Sequence, residues 1–212
     1  MNVLFEDKYI LVCEKPAGTP TQAGKITEKD MVSEVNNYMR KAGAKASAYL
    51  IHRLDKPVRG ILVFAKTKEA AAGLNTHFEG FDKRYIAIVE GNVEAREGSL
   101  TDYMIKDNNK AVIVDENAKD AKLARLEYSV VDNYDPKEEN ITHTCKLDIK
   151  LITGRFHQIR CQLSNMGHPI VGDSLYGSNI QYEKRKAIAL VCYHLSFDHP
   201  VTGKRLSFSI DL

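Results

Sequence analysis

Ile51-His52-Arg53-Leu54-Asp55-Lys56-Pro57-Val58-Arg59-Gly60, followed by Ile61-Leu62-Val63-Phe64-Ala65-Lys66, sets one carboxylate in a turn between two apolar runs. Ala48 to Ile51 reads as a short strand and Ile61 to Ala65 as another, with Pro57 and Gly60 as turn residues between them. Asp55 is thereby placed at a strand end, with its side chain available to a ligand. Arg53, Lys56, Arg59 and Lys66 surround it in sequence. Cations at short range favour an ionised carboxylate, and they attract a polyanion. Taken alone, such a cluster is more commonly a surface salt bridge of small stabilising value. The rest of the chain decides between these readings.

Thr153-Gly154-Arg155-Phe156-His157-Gln158-Ile159-Arg160 opens a second informative block, which runs on to Tyr176-Gly177. Phe156, Ile159, Leu163 and Met166 recur at helical spacing, which predicts an amphipathic helix over about 156–166 with those four side chains in the core. Gly167 ends it, and Pro169 opposes continuation. His157 and Arg160 are three apart and share the cationic face. A third block, Lys83-Arg84-Tyr85-Ile86-Ala87-Ile88-Val89-Glu90-Gly91, alternates as a strand with Tyr85 on the face of Ala87 and Val89.

The remaining chain is rich in strands. Residues 1–18 read as a hairpin. Thr27 to Ala42 reads as a helix capped by Thr27, with Met31, Val35, Tyr38 and Ala42 along one side. Lys68 to Phe78 reads as a second helix carrying Ala71, Leu74 and Phe78 inward. The polar region 92–140 reads as strands with exposed loops, Lys146 to Ile152 as a further strand, and Val201 to Lys204 as the turn of a final hairpin. Many strands with three helices, not in repeated strand–helix units, predict an α+β fold on a large, mostly antiparallel sheet.

Composition sets broad bounds. A chain of 212 residues, 43% hydrophobic and 27% charged, is long enough for one large core or two small lobes, and 1–212 reads as a single domain. A net charge of +2 means that any basic binding surface is local. Cys13, Cys145, Cys161 and Cys192 are scattered without a C-x-x-C pair, so neither zinc nor a redox motif is indicated. Buried thiols in a reducing cytoplasm are the simplest reading. No signal core or apolar run of membrane-spanning length is present.

Taken together, these blocks resemble the RluA family of RNA pseudouridine synthases. The run around Asp55 is similar to that family's H-R-L-D motif with its following strand and A-K-T. Thr153 to Arg160 and Gly167 to Gly177 resemble T-G-R-x-H-Q-I-R and G-H-P-I-x-G-D-x-x-Y-G. Lys83 to Gly91 resembles K-x-Y-x-A-x-V-x-G. The opening Glu14-Lys15-Pro16-Ala17-Gly18 and the closing His194 to Pro200 also fit. The resemblance implies a bent mixed sheet with an active-site cleft across its middle, and a short form lacking the amino-terminal S4 RNA-binding domain. It implies Asp55 as catalytic carboxylate, Arg160 as its charged partner and Tyr85 stacked on the base. It implies RNA contacts from Arg53, His52, Lys56, Arg59, Arg155 and His157. Arg59 departs from the family's usual serine. The implied partner is ribosomal or transfer RNA, with no membrane, no metal, no cofactor and no obligatory protein partner, and the protein is expected to be a cytoplasmic monomer.

Three other classes are weighed beside it. Protein kinases carry H-R-D, but this chain has neither their order nor an upstream glycine-rich loop. A glycosidase would need a second carboxylate, for which Asp173 is a loose candidate. A non-catalytic RNA-binding protein would not require Asp55, Tyr85 and Arg160 together.

Overall fold

The computed structural model describes residues 1–24, 28–43, 47–132, 143–183 and 186–212. They contain eleven β-strands and three α-helices, an α+β arrangement whose ladders are mostly antiparallel. The expected helix cap Thr27 lies outside the described residues. Two compact units are formed, Met1–Asp82 with Cys192–Leu212, and Lys83–Val191.

In the first unit, β1 (Asn2–Glu6) and β2 (Ile10–Lys15) form the expected hairpin. β2 pairs antiparallel with β4 (Arg59–Ala65), which also receives the short β3 (Tyr49–Leu50). Strand β10 (Leu190–Asp198), which enters this unit at Cys192, pairs with β11 (Arg205–Ser209). Ile10, Leu11, Val12 and Cys13 are all fully buried, as are Ile61 to Ala65. Burial on both faces explains why these strands read as continuous apolar runs and not as alternation. Ile10, Val12, Ile61, Val63, Leu74, Phe81, Leu195 and Phe197 form one core cluster, in which Phe81 stacks on Phe197 at 5.0 Å. Each such side chain contributes about 1.5–3 kcal/mol by leaving water.

Helix α1 (Met31–Lys41) starts later than expected. Its N-cap is Asp30, whose carboxylate accepts from the Ser33 N–H at 2.7 Å. Its buried stripe is Met31, Val35 and Met39. Tyr38, expected inward, is exposed and donates from its hydroxyl to Glu6. A one-residue rotation of the stripe accounts for this, because Met39 continues the i, i+4 series from Val35. Helix α2 (Lys68–Thr76) is capped by Thr67, and Phe78 lies in the 3₁₀ turn that follows.

In the second unit, β5 (Asp82–Glu90) pairs with β9 (Thr144–Leu151), β9 with β8 (Lys122–Asp132), β8 with β6 (Glu97–Asp107) and β6 with β7 (Lys110–Val114). Helix α3 spans Gln158–Asn165. It begins two residues after the expected start. His157 adopts a left-handed conformation (φ 51°), and Phe156 precedes the helix with 40% of its surface exposed. Phe156 is therefore not a core residue, and Ile159 and Leu163 carry the stripe alone. All four cysteines are buried.

Candidate active site

Asp55 lies in the segment between β3 and β4, and the chain before α1 clamps that segment. Thr21 Oγ1 donates to the Leu54 carbonyl at 2.7 Å and accepts from the Leu54 N–H at 3.1 Å. Gly18 N–H donates to the Lys56 carbonyl at 2.8 Å. Val58 N–H closes the turn on the Asp55 carbonyl at 3.0 Å. The residues on either side of Asp55 are thus held by hydrogen bonds, while Leu54 and Val58 are anchored in the core. Asp55 itself is half-buried and Arg53 beside it is exposed. Gly60 cannot be replaced easily. Its φ is +153°, and a Cβ there would lie 2.5 Å from that of Cys192.

Charge in this loop is distributed differently from what spacing alone suggests. Lys56 pairs with Glu28 at 2.7 Å, Arg59 with Glu14 at 2.6 Å and Lys66 with Glu6 at 2.7 Å. One cation coupled to Asp55 is Lys15, at the end of β2. It is fully buried, and its Nζ donates to the carbonyls of Pro16, Thr19 and Lys56 at 3.1, 2.7 and 3.2 Å. Desolvation lowers its pKa to about 8, while the nearby charge of Asp55 opposes that fall. Lys15 escaped notice as a functional residue because a lysine before Pro-Ala-Gly reads as loop surface. The apolar run Ile10 to Cys13, which carries it into the interior, was the available signal.

His52 is only 8% exposed, its Nε2 accepts from the Val63 N–H at 3.3 Å, and its ring meets Phe81 edge-on, so it anchors the loop to the core.

In the second unit, Tyr85 lies on β5 opposite Ile149 of β9 and is 6% exposed, on the same side as Ala87 and Val89. Arg160, in the first turns of α3, makes a bidentate ion pair with Asp173. Nε meets Oδ2 at 2.6 Å and Nη2 meets Oδ1 at 2.8 Å, with both side chains buried. Such a fork fixes a guanidinium in one orientation. Asp173 is therefore an electrostatic element that fixes Arg160. Its engagement with Arg160 also argues against its use as a glycosidase's second carboxylate.

The segment before α3 is stitched to β8. Thr153 Oγ1 donates to Gln158 Oε1 at 2.8 Å, and Gln158 Nε2 donates to the Arg125 carbonyl at 3.1 Å. Arg155 is exposed and donates from Nε to the Leu123 carbonyl at 2.8 Å. His157 Nδ1 lies 3.1 Å from the Tyr176 hydroxyl. Burial raises the pKa of that phenol to about 12, so it remains protonated.

The family model described as RNA pseudouridylate synthase matches residues 9–165. Among similar curated proteins, the dual-specificity RNA pseudouridine synthase RluA of Salmonella typhi is 30% identical, and the match covers 98% of this chain and 91% of that protein. Ribosomal large subunit pseudouridine synthase D of Zymomonas mobilis is 29% identical, over 100% of this chain and 69% of that protein. The solved structure of human RNA pseudouridylate synthase domain containing 4 shares the fold. Its TM-score is 0.80 at 22% identity, covering 100% of this chain and 88% of that one. A family model spanning well over half of the chain, on an α+β fold of the same kind, establishes that the chain belongs to the RNA pseudouridylate synthase family.

Proposed function

We propose that this enzyme converts specific uridines of structured ribosomal or transfer RNA to pseudouridine, with Asp55 as the catalytic carboxylate. The observation that carries this reading is the clamped Leu54–Lys56 segment, with the buried Lys15 amine coupled to Asp55. A carboxylate on a fixed backbone with a desolvated cation nearby is suited to act on an electron-poor glycosidic centre.

The reaction breaks the N1–C1′ bond, turns the uracil within the pocket and joins C5 to C1′. The proton on C5 is lost and N1 gains one, so the change is an isomerisation with no net oxidation. The base must first leave its stack, at a cost of a few kcal/mol. In this proposal Arg53, exposed beside Asp55, holds the vacated backbone. Tyr85 stacks on the uracil, which contributes about 1–3 kcal/mol. Arg160, kept rigid by Asp173, supplies fixed positive charge for the carboxylate. Lys56, Arg59 and Arg155 contribute to phosphate binding. The enzyme works in the cytoplasm as a monomer.

The test is a pseudouridine map of ribosomal and transfer RNA from a strain lacking this gene, complemented with wild type or Asp55→Ala. The expected result is that a few sites vanish and only the wild type restores them. Restoration by Asp55→Ala would remove Asp55 from the reaction.

A further inference from the structure

Phe156 is a large apolar ring left 40% exposed at the surface. Single exposed hydrophobics are common and need no explanation by themselves. This one is held in a built arrangement. Its ring stacks on His157 with centroids 3.8 Å apart and planes 19° from parallel. His157 in turn meets Tyr176 edge-on at 5.7 Å and lies 3.1 Å from the Tyr176 hydroxyl. Tyr176 Oη accepts from the Ala111 N–H at 2.7 Å, which fixes the inner end of the row on β7. The left-handed backbone at His157 turns the segment so that ring follows ring. A non-glycine residue at positive φ is strained, and it persists where its surroundings demand it.

Cations line this row. Lys106 Nζ lies 5.0 Å from the Phe156 centroid, Lys110 Nζ 5.9 Å from that of Tyr176, and Arg160 Cζ 5.0 Å from the same ring. Arg155 is the exposed neighbour of Phe156. Among the described residues, Lys106 and Lys110 make no ion pair. Asp107 faces Lys110 across the β6–β7 ladder and accepts from the Asn108 amide at 3.0 Å. Beyond Tyr176 the surface dips into a cavity of about 480 Å³ lined in part by Lys110, Ser164 and Tyr176. Stacked rings beside lysines match the chemistry of unpaired nucleotides, whose bases offer π faces and whose phosphates offer charge.

We propose that Phe156, seated on His157 and flanked by Lys106 and Lys110, is a stacking platform for an unpaired nucleotide of the RNA substrate, outside the uridine that reacts. The proposal rests on the RNA-modifying reading above. It makes Phe156 a specificity residue that favours targets in single-stranded or looped segments. Lys106 slides from the ring to a phosphate as the base arrives.

The chain contains no tryptophan, so Phe156→Trp places a unique fluorophore on the platform. Its emission is followed while a 10-nucleotide unstructured RNA, or a blunt duplex of the same sequence, is added to the full chain. Binding is read in parallel from the anisotropy of a labelled oligomer. Quenching by the single strand but not by the duplex is expected. Phe156→Ala should weaken single-strand binding by about 5- to 150-fold, the range of one lost stack, while Phe156→Tyr retains it. Lys106→Ala should lower the salt slope of binding by about one. Oligomer binding without a change in tryptophan emission, or with Phe156→Ala within twofold of wild type, overturns the platform and leaves the catalytic reading standing. Stacking at Phe156 by a wild-type enzyme that forms no pseudouridine overturns the catalytic reading alone. A protein that neither binds the oligomer nor modifies RNA overturns both.

Discussion

The two units hold charge in opposite ways. In the first unit, Lys15 is a buried cation coupled to Asp55, a point charge resting on three backbone carbonyls. On α3, the buried cation is Arg160, locked by two parallel bonds to a carboxylate. A lysine on neutral acceptors can lose its proton when desolvated, whereas an arginine forked onto an aspartate keeps its charge at any workable pH. The first unit thus carries a titratable support beside its candidate reacting group. The second carries a permanent one.

The largest expected effect breaks the first side of this comparison. Asp55→Ala or Asp55→Asn should reduce pseudouridine formation by about 10⁴-fold or more, with RNA affinity retained in a binding titration. Loss of affinity in parallel with activity would instead make Asp55 a structural residue of the loop.

The next breaks the second side. Asp173→Ala leaves a buried guanidinium without its fork, and should cost about 3–5 kcal/mol in urea unfolding. Arg160→Lys keeps the charge but not the bidentate geometry, so it should lose activity with a smaller loss of stability. Equal stability of Asp173→Ala and wild type would mean that the pair is not sequestered.

A pH series sharpens the contrast. Burial depresses the Lys15 amine from its ordinary 10.5 to about 8, so between those values the unfolded chain binds more protons than the folded one. Stability therefore rises with pH through that window, by roughly 3 kcal/mol at most for a shift of this size. Comparing wild type with Lys15→Met in urea at intervals from pH 7 to 10.5 isolates the term. The difference should favour wild type increasingly toward the alkaline end. A difference independent of pH would show that Lys15 remains charged throughout.

The same contrast marks what could be read from the chain. Alternation and turn chemistry located most strands, because β5, β8, β9 and the terminal hairpins bury alternate or complete apolar sets. The resemblance located the blocks that carry Asp55, Tyr85 and Arg160. Depth was harder to read. Lys15 and His52 are polar residue types beside glycine and proline, and only tertiary packing puts them inside. Phe156 failed for a different reason. Its spacing from Ile159 fits a helical stripe, but periodicity does not report where a helix starts, and the left-handed His157 excludes Phe156 from it. The pairing of Asp173 with Arg160 was not legible, since the two are thirteen positions apart.

The smallest effect concerns how helices begin in the two units. Asp30 caps α1, accepting from the Ser33 N–H at 2.7 Å and from the Ala23 N–H at 2.6 Å. Helix α3 has no side-chain cap and starts from the strained His157. Burial pushes the Asp30 carboxyl up, but its bonds from the Ala23 and Ser33 N–H groups outweigh this, and its pKa is lowered on balance. A carboxyl depressed in the folded state adds stability that is present above its unfolded pKa and is lost as pH falls through the folded value. Asp30→Ala should cost about 0.5–2 kcal/mol at neutral pH. That cost should shrink as the buffer is acidified below about pH 4, where wild type loses the same bonds to the carboxylate. Asp30→Asn keeps an acceptor without a titrating group. It should retain most of the stability at neutral pH and lose the acid dependence, a pair of outcomes that a role for Asp30 in charge alone would not produce.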